Sequence, residues 1–407
     1  MIAGRLPVRH DTDGDFTTAE ILEWAATGGP VRPGTAAGTS DGRGDEVVMR
    51  EFETSQLFRP PVGHAVATLT PDRAEAWLAL AARWVTQAFP GADVRYVNTA
   101  CKLLGAVWLR ARSDSAWPTD AIRREIGAVA AGVEALSDQL IAWLRSRPAE
   151  DGRSGIGTGE DVPSTPGHER TTPTRVTIAG PSVLVLSGAG SSNARRFAHA
   201  AAAAGLSRVR ICEYGSQAPA GHQASSYDEA WYPAGQSSGA PAPASFPSPF
   251  AVTRADGWDR VRAAAEHSAT DLVVLLGMPV VPMPVLGSSR FGAVNAHNGA
   301  LPGYRGMDAV GWALLEGTPP TCTVHRVSAG PDTGDVVTAA DVPITPLATL
   351  RRRMKEQQLR LLLDVTTHLR DTGTLPLAVE QPADAGRTFY RLHPHLKRVL
   401  NDGMRRP

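Results

Sequence analysis

Cysteine is scarce. The three in this chain, Cys101, Cys212 and Cys322, stand too far apart to suggest a disulfide framework or a zinc site. Charge of one sign is not in excess either, since 41 Lys plus Arg balance 41 Asp plus Glu. That balance excludes the global field expected of a nucleic-acid or membrane-surface protein. Long apolar runs are missing: nothing approaches the roughly 18 residues that cross a bilayer, and the opening MIAGRLPVRHDTDGDF lacks the apolar stretch of a leader. The expectation is a soluble, cytoplasmic protein without metal, nucleic-acid or membrane partners.

What the chain does have is Gly and Pro, 40 and 32 in 407 residues, gathered into clusters that mark boundaries. Residues 28–45 read as a mobile loop, 151–175 as a flexible linker with almost no large apolar residue, and 216–250 as a low-complexity insertion, either disordered or a flap. Two domains and a tail result. Residues 1–150 are mainly helical, with Ala74, Trp77, Leu78, Ala81, Trp84 and Val85 recurring at three and four. Their Trp residues, with Trp108 and Trp143, could line a pocket, but a small helical core needs the same side chains. This region declares no role.

Residues 176–375 change texture. A buried-strand run, Val183–Leu186, stops at a Ser-Gly-Ala-Gly turn, and the Ala-rich SSNARRFAHAAAAAGL follows as a helix. Strands RVRICEY, DLVVLLG, AVNAH and TCTVHRV then alternate with helices DGWDRVRAAAEHSAT and MDAVGWALLEG. The pattern predicts an α/β fold, a doubly wound and mostly parallel sheet preceded by the separate helical domain. The last residues, 376–407, read as a basic tail; from 346 onward there are 12 Lys/Arg against 6 Asp/Glu.

Three stretches could carry chemistry. In AVNAHNGALPGYRG, strand alternation puts Asn295 and His297 on one face at a strand end. In VHRVSAGPDTGDVV, a turn-forming Asp332-Thr333-Gly334-Asp335 follows a strand bearing His325. The third is Ser187–Asn193, a Gly/Ser-rich link between strand and helix. Each alone has a structural explanation; their order and spacing together do not.

The first two motifs resemble the folate-dependent formyltransferases, the superfamily of the methionyl-tRNA and glycinamide ribonucleotide formyltransferases, over roughly residues 176–345. The resemblance implies a Rossmann-like catalytic domain with Asn295, His297 and Asp332 as catalytic residues, His325 in support and Asp335 structural. It implies 10-formyltetrahydrofolate as formyl donor and no metal. An amide and a protonated imidazole would stabilise a tetrahedral oxyanion, while Asp332 raises the imidazole pKa and accepts a proton.

Donor contacts are expected at Leu276, Gly277, Met278, Val280, Ser328 and Gly330. The Ser187–Asn193 loop looks like the phosphate-binding turn of the glycinamide ribonucleotide enzymes, which makes Gly188, Gly190, Ser191, Asn193 and Arg305 the expected acceptor contacts. The chain ends too soon after its last helix for the C-terminal β-barrel of a tRNA-acting member. The acceptor is therefore expected to be a small-molecule amine: a sugar nucleotide, an amino acid or a secondary-metabolite intermediate. The competing readings are a formyltetrahydrofolate hydrolase, a methionyl-tRNA formyltransferase and a non-catalytic folate-binding module. Oligomeric state is left open.

Overall fold

The structure is a computed structural model that describes residues 48–50, 52–53, 69–87, 93–113, 119–146, 180–215, 243–266, 269–287, 289–344, 347–382 and 385–404. The expected loop at 28–45, the linker and most of the 216–250 insertion lie outside the described residues.

Three helices come first: α1 (Pro71–Gln87), α2 (Val94–Ser113) and α3 (Thr119–Ser146). Their apolar stripes meet in a common interior that fully buries Trp77 and Trp84. Phe52 sits edge-on to both, with ring centroids 5.4 and 6.5 Å away. These indoles are core.

The α/β region is built on a seven-stranded sheet of order β3-β2-β1-β4-β5-β7-β8. Its strands are β1 (Val183–Gly188), β2 (Val209–Tyr214), β3 (Ala251–Ala255), β4 (Leu272–Leu276), β5 (Ala293–His297), β7 (Thr321–Arg326) and β8 (Val336–Asp341). The first five run parallel, and β7 and β8 add an antiparallel edge. The apolar runs of β1 and β4 are buried along their length, as strands covered on both faces must be. One face packs under α4 (Ser192–Ala203) and the long α8 (Leu347–Thr372), the other under α5 (Trp258–Glu266) and α6 (Met283–Leu286). The order reverses at β1 and β4, so ligands are expected beyond the carboxyl ends of those strands.

Residues 376–407, expected as a basic tail, are not a tail. Arg387–Phe389 form β9, which pairs in parallel with β6 (Tyr304–Gly306), and Pro394–Met404 form α9. Leu396, Val399 and Leu400 of α9 are buried. The helix lies against α3, where Ser137 Oγ is 2.7 Å from His395 Nε2. A three-residue strand and a short helix carry too little periodicity to stand out in a basic sequence.

Candidate active site

Strand β5 turns Asn295 and His297 to the same side, as alternation requires, and the antiparallel register sets His325 of β7 opposite Asn295. Asn295 Nδ2 and His325 Nε2 are 3.2 Å apart. The turn after β7 brings in Asp332, held at φ 56°. Ser328 Oγ and Thr333 Oγ1 lie 2.7 Å apart across that turn, and Thr333 Oγ1 donates to Gly330 O. Asp332 then reaches both imidazoles: Oδ2 is 3.4 Å from His297 Nδ1, and Oδ1 is 3.4 Å from His325 Nε2. Asn295, His297, His325 and Asp332 thus form one polar cluster at the carboxyl end of the sheet.

The motif Gly-Ala-Leu-Pro-Gly-Tyr-Arg-Gly between them supplies backbone. Tyr304 O lies 2.6 Å from His297 Nε2, and Gly306 N–H donates to Asp332 Oδ2 at 2.9 Å. Two glycines are required by close approach. A Cβ on Gly299 would stand 2.8 Å from His297 Nε2 and 2.6 Å from Tyr304 O, and one on Gly306, at φ 95°, would run into the backbone of Phe389.

Burial governs the charge states. It pushes the His297 imidazole below its ordinary value, and this outweighs the attraction of Asp332 and the Tyr304 carbonyl. Burial also opposes ionisation of Asp332, but the His325 hydrogen bond, the His297 charge and the Gly306 amide together hold its carboxyl below the usual range. Asp332 raises the imidazole pKa as expected, but burial outweighs it and the net displacement is downward. With the Nε2 proton given to Tyr304 O, the His297 Nδ1 lone pair faces Asp332. Two acceptors 3.4 Å apart make a receptor for a proton.

The expected donor contacts divide. Leu275 registers with Asn295, so Leu276 points to the opposite face, where its side chain is core. Beyond it, Gly277 (φ 68°) has open space beside its Cα, and Val280 and Met283 are exposed, forming an apolar shelf next to half-buried Met278. Asn298, beside His297, has a buried amide oxygen without a hydrogen-bond partner among the described residues. An exposed apolar shelf at the end of β4 suits a flat heterocycle. Ser328 and Gly330 hold the Asp332 turn from within.

The expected acceptor contacts are corrected more strongly. Gly190 N–H donates to Glu213 Oε1 at 2.9 Å, Ser191 N–H to Gly188 O at 3.1 Å, and Ser191 Oγ caps Ala194 N–H. Glu213 is buried there. A phosphate would have to displace this carboxylate and then sit beside it, so the loop is not a ready anion site. Its Gly188 does abut the shelf, with the Gly277 carbonyl 3.9 Å from where its Cβ would be. Asn193 is half-buried near the start of α4. Arg305 is buried, with Nε and Nη2 on Gln381 Oε1 at 3.3 and 3.1 Å and Nη2 also on Pro382 O. These bonds tie β6 to the segment at Gln381–Pro382.

Sequence reasoning missed Gln381. Its amide nitrogen donates to Asp332 O and Gly334 O, at 3.1 and 2.5 Å, and pins the turn that carries Asp332. Nothing in LAVEQPADAG marks it, because its partners lie far back in the chain. Glu213 was missed likewise.

Asn295, His297, His325 and Asp332 therefore gather beyond the strand ends of a doubly wound α/β sheet, where such folds bind their ligands. Residues 232–366 match the family model described as formyl transferase, so the chain carries a domain of that family. A methionyl-tRNA formyltransferase from Dechloromonas aromatica is 35% identical over 138 residues, 33% of this chain and 43% of that one. Another from a Synechococcus strain is 31% identical over 136 residues, covering 32% and 41%. The chain thus spans less than half the length of these curated relatives. Among solved structures, glycinamide ribonucleotide transformylase 1 from Symbiobacterium toebii aligns with TM-score 0.36 and 22% identity, over 52% of this chain and 94% of that one. No described helix is long and apolar enough to cross a membrane.

Proposed function

We propose that this chain transfers a formyl group from 10-formyltetrahydrofolate to the amine of a small molecule. The observation that carries the reading is the cluster of Asn295, His297, His325 and Asp332 inside the segment that matches the formyl transferase family.

The donor, when bound, supplies a formyl group that leaves its N10 for the amine nitrogen. The chain's own groups have separate tasks. Asn295 Nδ2 lies 3.2 Å from His325 Nε2, and its amide N–H is available to the carbonyl oxygen where negative charge develops. The neutral His297 Nδ1, facing ionised Asp332, takes the proton shed by the attacking amine. The same pair returns a proton to the departing N10, which leaves the site unchanged at the end of a cycle. His325 Nδ1 lies 2.7 Å from Arg326 O, a contact that fixes the ring and with it Asn295. The shelf at Gly277–Met283 suits the donor's heterocycle.

A small-molecule acceptor asks for no binding unit beyond the described residues, whose last section folds as β9 and α9 against the helical region. A second reading, methionyl-tRNA as acceptor, is favoured by the names of the curated relatives. One experiment separates them. The protein is incubated with formyl-labelled 10-formyltetrahydrofolate and a panel of amines (sugar nucleotides, amino acids and charged initiator tRNA), and products are read by mass spectrometry. Label in a small amine supports the proposal, and label only in tRNA supports the second reading. Rapid formate release that no amine diverts would overturn both in favour of hydrolysis.

A further inference from the structure

The helical region has no counterpart in the formyl transferase match, yet its contacts run to the catalytic carboxylate. The backbone groups that engage His297 Nε2 and Asp332 Oδ2, Tyr304 O and Gly306 N–H, both belong to β6. That strand is only three residues long, and β9 is its one sheet partner among the described residues. Met307 N–H donates to Phe389 O at 2.8 Å, which extends the pairing. A strand this short has little order of its own; β9 holds its backbone, while Arg305 on Gln381 and Tyr304 on Glu316 and Thr318 hold its side chains.

β9 in turn is gripped from the helical side. Asn98 of α2, 1% exposed, spans the next residues with both ends of its amide: Nδ2 donates to Arg391 O at 3.2 Å, and Oδ1 accepts from His393 N–H at 2.7 Å. Asn98 is itself oriented by Glu53, whose Oε1 accepts from its Nδ2 at 3.1 Å and from Thr99 Oγ1 at 2.7 Å, and whose Oε2 pairs with buried Lys102. Two lesser contacts join in: Arg387 lies 3.6 Å from Asp93, and the Arg95 guanidinium sits over the Phe389 ring at 5.8 Å. On the catalytic side, Asp308 accepts from Leu392 N–H at 3.0 Å and pairs with Lys397 at 2.8 Å.

We propose that the helical region is a working part of the active site, with Asn98 as a positioning residue that acts through residues 387–393 and β6 on Asp332 and His297. A buried side-chain amide that satisfies one carbonyl and one N–H of the segment that follows β9 restrains that segment in translation and rotation together. Loss of that grip lets β6 drift, and the Gly306 N–H that steadies ionised Asp332 drifts with it. The consequence lies in the chemical step and its pH dependence, while donor binding at the Gly277–Met283 shelf is left alone. This rests on the formyl-transfer reading for its kinetic consequence, but not for its structural one.

The test uses the full chain with Asn98→Ala, and Ser137→Ala as a control that loosens α9 from α3 at a different point. Hydrogen–deuterium exchange is followed at peptides covering 303–308 and, for reference, β1 and β4. The proposal expects at least tenfold faster exchange around Gly306 in Asn98→Ala, unchanged reference peptides, and wild-type behaviour in Ser137→Ala. In turnover it expects kcat to fall by tenfold or more with the donor KM within threefold, and the acidic limb of the kcat profile to move to higher pH. Wild-type exchange at 303–308 in Asn98→Ala overturns it, whether or not formyl transfer is the activity. Faster exchange with unchanged kcat and pH profile also overturns it, because the strand would then be immaterial to catalysis. If Asn98→Ala does not fold, Thr99→Val, which removes one partner of Glu53 and preserves volume, is read by the same criteria. A wild-type protein inert toward every amine would count against formyl transfer alone, and the exchange result would still decide the positioning claim.

Discussion

Replacing Asp332 by Asn tests the active-site reading most directly, because the side chain keeps its shape and loses its charge. The carboxylate has three partners: Gly306 N–H at 2.9 Å, His297 Nδ1 at 3.4 Å and His325 Nε2 at 3.4 Å. An amide oxygen can still accept from Gly306. That oxygen is the one beside His297 Nδ1, so the NH2 takes the Oδ1 place next to His325 Nε2, and His297 loses the negative charge that would hold a proton there. The proton receptor is lost while the packing is kept. Removal of a positioned acid–base group costs about 10²–10⁴ in rate, equivalent to about 3–5 kcal/mol in the barrier. Stability should change much less. One charge-assisted hydrogen bond is weakened, by about 1–2 kcal/mol, and relief of the buried charge offsets part of that. Single-turnover kinetics with the acceptor found in the amine panel, run beside urea unfolding, separates the two quantities. An Asp332→Asn variant that keeps more than a tenth of the wild-type rate would refute the proton-receptor argument. A stability loss above about 4 kcal/mol would show that the carboxylate is chiefly structural.

Asn295→Ala should lower kcat by about 10²–10³ with little change in donor affinity, measured by titrating tetrahydrofolate against intrinsic fluorescence; a change in affinity alone would reassign Asn295 to binding. Arg305→Met should cost about 2–3 kcal/mol in urea unfolding, since Gln381 and Pro382 lose their donor, with the acceptor KM unchanged; a raised acceptor KM in a protein of wild-type stability would restore Arg305 as a substrate contact. Gly306→Ala forces a side chain into φ 95° against Phe389 and should cost about 3 kcal/mol or more, read as a lowered urea midpoint. Acid should destabilise the fold from an unusually high pH. His297 is held below its ordinary 6.5, and His393 is pushed down to about 3, by burial first. The unfolded chain binds protons that the folded one refuses, so this stability is complete above pH 6.5 and is lost as pH falls below it. Each such imidazole contributes about 1.4 kcal/mol per pH unit, and Asp332 adds a further loss below pH 3.8. Urea midpoints at pH 7.5, 6, 5 and 4 should decline steadily, and less so in His393→Gln; a flat series down to pH 4 would contradict the buried neutral imidazoles.

Much of the α/β fold was legible because each strand and helix writes its own period within a few residues. Val183–Leu186 and DLVVLLG are continuous apolar runs that only a doubly covered strand requires, and both are buried on both faces. The face shared by Asn295 and His297 followed from alternation alone. The antiparallel turn of β7 and β8 was less visible, since a strand's residues do not state its direction. The short β9 and the helix α9 were hidden by basic composition, and the partners of Arg305 and of the Gly190 loop were misjudged. In each of those cases the deciding group is a buried polar atom elsewhere: Gln381 for Arg305 and Glu213 for Gly190.

The sequence by itself therefore determined the elements, the faces their side chains take and the set of groups available for chemistry, because these depend on backbone geometry over a few residues. Tertiary structure alone decided the burial of His297, the partners of Asp332 and the attachment of the helical region, through bonds such as Gly306 to Asp332, Gln381 to Asp332 and His393 to Asn98 that span 26, 49 and 295 residues. Desolvation and hydrogen-bond pairing depend on what folding brings alongside, and no local pattern records that.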